Sequence, residues 1–120
     1  MTQKEDFWKD YWRTWGSLDP DAWGDDFHCR LRIKGEWNED QFREIEEATR
    51  ALIRGITDGT LTDHAQKNSA CERIREAVVL IRHPGFRNTP LFNMTLSQFQ
   101  TYLDERCEIL EQLIVDLQRA

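Results

Sequence analysis

A mainly α-helical bundle of about four helices, with one short extended or strand-like segment near residues 27–33, is the fold this sequence predicts. Three observations predict it. Leu96, Leu103, Leu110 and Leu117 recur every seven residues, which lays one apolar stripe along a long helix. Paired capping signals stand at Asn38 with Gln41, Ser69 with Glu72, and Thr95 with Gln98, each marking a helix start. Only residues 27–33 alternate apolar and polar side chains, and no second convincing strand is written for them to pair with. A chain of 120 residues can bury a core of its own, so residues 1–120 are expected to form a single domain.

Taken in order, Lys4 to Trp15 reads as the first helix. Phe7, Trp8, Tyr11, Trp12 and Trp15 fall at helical spacing, with Lys9, Asp10 and Arg13 on the other side. Gly16 and Ser17 end it. Asp19-Pro20-Asp21 offers a cap followed by a proline in the first turn of a short helix. In 27–33, the strand period places Phe27, Cys29, Leu31 and Ile33 inward and Arg30 and Arg32 outward. Trp23, Phe27 and Leu31 are also four apart, which a helix would bury equally well. The alternation tips the expectation toward extended backbone.

Lys34-Gly35-Glu36 is a turn. The helix after it has Asn38 as cap, and Trp37 is placed to staple onto Phe42. Phe42, Ile45, Ala48, Leu52, Ile53 and Ile56 form its inner face, and the stretch from Gly55 to Gly59 closes it. The next helix ends at His83 before Pro84-Gly85. Its inner face is Cys71, Ile74, Val78 and Ile81, and its start is written at Ser69 or two turns earlier at Thr62. Pro84 to Asn93 is an irregular connection whose Phe86, Leu91 and Phe92 are expected against the core. Thr95 to Arg119 is the last helix, with Met94 facing Phe99 as a second staple. It is the element the others are expected to pack on.

Charge is unevenly spread. Up to Glu47 there are thirteen acids against seven bases, and after it nine of each, so the net charge of −6 lies wholly in the first two-fifths of the chain. All five tryptophans lie there too. Acid and aromatic residues together in one half argue against a nucleic-acid binder, whose electrostatic footprint would be basic. No apolar run is long enough for a bilayer, and the first ten residues carry no apolar signal core. Cys29, Cys71 and Cys107 are scattered without CxxC or Cys/His spacing, as expected of reduced thiols in the cytoplasm.

Nucleotide-binding glycine loops, HExxH and EF-hand loops are all missing from the sequence. His28-Cys29 would point to opposite faces of a strand, and Asp63-His64 reads as surface. No catalytic residue, metal ligand or cofactor is therefore expected. Two function classes remain. The first is an acidic inhibitor or immunity-type protein that covers the basic surface of a toxin or nuclease, steered by its acids and held by aromatic anchors. Its expected contact residues are Trp23, Asp25, Asp26, Glu36, Trp37, Glu39, Asp40, Glu44 and Glu47, with the helix acids facing outward; a homodimer is left open. The alternative is a small all-α hydrolase holding Mg²⁺ or Mn²⁺ between helix carboxylates. Glu44 and Glu47, or Glu105, Glu108 and Glu111, have the i,i+3 spacing for that role, although no downstream ExxD completes the set.

Overall fold

The computed structural model describes residues 3–15 and 27–120. Its elements are α1 (Gln3–Trp15), α2 (Phe27–Cys29) running into a π-helical turn (Arg30–Lys34), α3 (Glu39–Thr57), α4 (His64–Arg82), α5 (Pro84–Arg87) and α6 (Leu96–Arg119). The chain is mainly α, as expected. The expected count of about four covers the long helices α1, α3, α4 and α6; the short α2 and α5 are additional. The expected stop at Gly16-Ser17 and the cap at Asp19-Pro20-Asp21 lie outside the described residues.

The strand-like reading of 27–33 is corrected: no strand is present among the described residues, and this stretch is helical. Phe27 and Leu31 are both buried while Ile33 is 53% exposed. Their spacing of four satisfies a helix as well as a strand. The helix wins because it meets its own backbone hydrogen bonds, whereas a lone strand would leave a row of them unmet. The Glu36 N–H donates to the Arg30 carbonyl at 3.0 Å and closes the turn, within which Gly35 has φ +63°, a conformation that glycine adopts at little cost.

α6 is the centre of the core. Phe99, Leu103, Cys107, Leu110, Leu113 and Leu117 are buried along it, while Leu96, at its first position, is exposed. Thr95 and Gln98 complete the expected capping box: the Gln98 N–H donates to Thr95 Oγ1 at 3.1 Å, and the Thr95 N–H to Gln98 Oε1 at 3.0 Å. α4 packs most extensively on α6 through Ala70, Cys71, Ile74, Ala77, Val78 and Ile81. It begins at His64, close to the earlier of the two expected starts (Thr62) and not at Ser69, because Asp63 is the cap and accepts from the Gln66 N–H at 3.1 Å.

α3 packs on α6 from another side, and α1 packs on α3. The aromatic stripe of α1 is largely core, with Trp8, Tyr11 and Trp15 buried. Two polar ties fix its register. The Tyr11 and Thr49 hydroxyls share a hydrogen bond of 3.1 Å, and the Trp12 indole N–H donates to Gln66 Oε1 at 2.8 Å. Burial raises the Tyr11 phenol above its ordinary value, outweighing the Thr49 hydrogen bond.

The link from α4 to α6 departs from expectation at two points: Pro84–Arg87 is the short helix α5 rather than irregular chain, with Pro84 in its first turn and His83 as its cap, and Phe92 is not core. Phe86 is buried and Leu91 half-buried, but Phe92 turns outward and is 56% exposed. Phe92 and Asn93 have φ of 60° and 58°. A left-handed conformation is rare for an aromatic residue and holds local strain. It is what directs the ring away from the interior.

Candidate partner-binding surface

The acids of α3 divide into two groups that the sequence did not distinguish. Glu39 opens the helix, beside the orphan N–H groups that favour an acid. Its carboxylate also reaches across to α6. Arg106 donates to it through Nε at 3.1 Å and through a terminal nitrogen at 2.8 Å, a two-point pairing. The Tyr102 hydroxyl donates to Glu39 Oε1 at 2.8 Å, and the Trp37 indole N–H donates to the same oxygen at 2.9 Å. The Arg106 guanidinium in turn stacks over the Tyr102 ring, 3.4 Å from its centre.

These contacts set the protonation of the cluster. Burial alone would raise the Glu39 carboxyl, but the hydrogen bonds from Arg106, Trp37 and Tyr102, with the Arg106 charge, outweigh it and hold it at about 2. Tyr102 is raised, by burial and by its bond to Glu39. Glu39 is thus a structural tie between α3 and α6, not the outward acid expected from its position. Glu46 belongs to the same group, bonded to Arg43 and Arg50 at 2.9 Å each. Burial works against its ionisation, and the two arginines overcome it and lower its pKa.

Asp40, Glu44 and Glu47 form the second group. Their spacing of four and three aligns them along one side of α3. All three are exposed, and no cation pairs with them among the described residues. Like charges so spaced destabilise a helix by about 0.2–0.5 kcal/mol per pair. Asp40, in the first turn, is favoured by the helix dipole, whereas Glu44 and Glu47 lie beyond that turn. Glu36, just before α3, is exposed as well.

Trp37 is placed differently from the expected anchor. It is 5% exposed and packs between Phe27, Phe42 and Tyr102 with ring centres 5.2, 5.3 and 6.1 Å away. The expected staple onto Phe42 is therefore present, and it is what draws the indole inward. Trp23, Asp25 and Asp26 lie outside the described residues. The exposed aromatic near this end of α3 is instead Phe92, whose ring lies 6.1 Å from that of Tyr102.

Sequence reasoning missed Arg106 and Phe92. A signal for the first was present: an arginine between Leu103 and Cys107, on the flank of a buried stripe, needs an acid from elsewhere. Nothing local announces the left-handed turn at Phe92. Among the described residues no three His, Cys, Asp or Glu side chains gather closely enough to hold a metal ion, so Glu44 and Glu47 have no third ligand beside them. No described helix is long and apolar enough to cross a membrane. The chain matches no protein-family model, no curated protein and no solved structure.

Proposed function

We propose that this domain is a protein-binding protein of the inhibitor or immunity type, acting in the cytoplasm, whose α3 acids cover the basic surface of a toxin or nuclease. The observation that carries this reading is the stripe of Asp40, Glu44 and Glu47, exposed and unpaired among the described residues while Glu39 and Glu46 beside it are tied to arginines. Glu44 and Glu47, past the first turn and without a cation partner among the described residues, add little to the helix, which leaves them available to a partner. An acid array of this kind steers a basic partner during approach and suppresses wrong partners. Glu36 extends the charge, and the acids Asp25 and Asp26 of the preceding segment add to it in sequence. Phe92 supplies the aromatic surface that Trp37 does not, of the kind that slows release once docked.

The test is capture from source cells on immobilised wild-type chain and on the D40K/E44K/E47K variant. A basic protein retained by the first and not by the second, and whose nuclease activity falls in proportion to added wild type, is the expected result. Equal capture and equal inhibition by the two would refute the assignment of these acids.

A further inference from the structure

A second surface, formed by the π turn and α4, has the opposite character. Two cavities adjoin there, of about 500 Å³ and about 360 Å³, and Arg32 and Leu80 stand in the walls of both. Arg75 lies in the smaller one with Arg32. Most arginines of this chain meet a carboxylate: Arg43 and Arg50 meet Glu46, Arg82 meets Glu111 and Arg87 meets Asp104. Arg32 and Arg75 meet none among the described residues. The nearest acid in the same wall, Glu76, is instead 3.7 Å from Arg73. The walls also carry Lys34, His83 and Thr89 in the larger cavity and His28 and Glu76 in the smaller, beside exposed apolar side chains. Ile33 and Val79 are 53% and 66% exposed, and one lines each cavity.

We propose that this cleft binds a segment of a partner protein in which carboxylate side chains alternate with apolar ones. Two exposed guanidiniums in one wall, with no carboxylate on either among the described residues, suit an anionic partner, and arginine is suited to two-point pairing with a carboxylate. The apolar side chains of the segment would cover Ile33 and Val79, which a lone small anion would leave in water. That apolar requirement, together with the chain's net charge of −6, also disfavours a nucleic acid, whose phosphates would meet long-range repulsion and leave the apolar walls bare. The backbone is consistent with a purpose-built site. A π-helical turn is an uncommon interruption that occurs frequently at functional positions, and it is this turn that brings Arg32 and Ile33 to the cleft. The cleft and the α3 acids use different elements, so the proposal stands whether or not the acids bind a basic partner.

The experiment is a titration of isotope-labelled full-length chain, followed by amide NMR. The probe is a blocked peptide with alternating leucine and glutamate, beside one with glutamine for glutamate and one with serine for leucine. The expected result is saturable shifts confined to residues 30–35, 75–80 and 83–89, with both control peptides at least tenfold weaker. The R75Q and V79S variants, both at exposed helix positions, should each weaken the first peptide severalfold with unchanged circular dichroism, and R32Q/R75Q more than tenfold. Equal binding of the glutamine peptide, shifts centred elsewhere, tighter binding of a uridine octamer, or indifference of R32Q/R75Q would each overturn the proposal. A chain that self-associates in sedimentation, and loses that association on D40K/E44K/E47K, would also overturn it, by showing that the acids of a second copy occupy the cleft.

Discussion

Replacing Glu39 by Gln removes one charge from the tie between α3 and α6 and leaves its shape nearly unchanged. The magnitude follows from the carboxyl, brought from an ordinary 4.5 to about 2 by its partners. At about 1.4 kcal/mol per tenfold, that is roughly 3 kcal/mol without screening. With 32% of the side chain exposed, screening reduces it to about 1–2 kcal/mol. Arg106, whose side chain is only 11% exposed, is then left with an amide where it had a full counter-charge, which keeps the loss toward the upper end. The sign with pH follows from the depressed value. The contribution is fully present above the unfolded pKa near 4.5 and is lost as pH falls toward about 2. Urea unfolding of wild type and E39Q at several pH values between 2 and 7 measures it. The two should differ by about 1–2 kcal/mol at pH 7 and converge near pH 2. A difference below about 0.5 kcal/mol at pH 7, or one that persists unchanged to pH 2, would refute the role given to Glu39.

Other consequences are equally direct. Leu103 and Leu110 are fully buried on α6, so either alanine variant should lose about 2–5 kcal/mol in urea unfolding; a loss under about 0.5 kcal/mol would mean the stripe is not core. Cys71 and Cys107 are buried, and burial raises both thiols above their ordinary value, so both should react with a thiol reagent only as fast as the chain opens; fast native labelling would contradict their placement. Gly55→Ala should destabilise by about 1 kcal/mol, because overpacking outweighs the gain in helix propensity. The added methyl would stand 2.6 Å from a terminal carbon of the buried Leu61. A rise in Tm would show that Leu61 yields easily.

The caps of α3 and α6 are legible from the sequence; that of α4, Asp63, is not. Asn38, Thr95 and Gln98 make the predicted bonds, because a cap side chain and the N–H that donates to it are only three residues apart. The apolar stripe of α6 was equally plain, since seven-residue spacing belongs to helices alone. The segment 27–33 was not, because Phe27 and Leu31 fit both periods and the decision rests on backbone groups that carry no side-chain signature. The division among the acids was also hidden. Glu39 and Asp40 are neighbours of like charge, and it is chiefly Tyr102 and Arg106, more than sixty residues away, that with Trp37 draw one in and leave the other out. The chemistry of Phe92 alone points to the core, whereas its left-handed backbone turns it outward.

The central claim is that Asp40, Glu44 and Glu47 are a binding surface and Glu39 is not. Stopped-flow association with the captured partner, in increasing NaCl, tests it most directly, with D40K/E44K/E47K beside wild type. The wild-type rate should fall steeply with salt, and the variant should be slower by an order of magnitude or more with a nearly flat salt dependence. Parallel lines of equal height, from a variant whose unfolding free energy lies within about 0.5 kcal/mol of wild type, would contradict it.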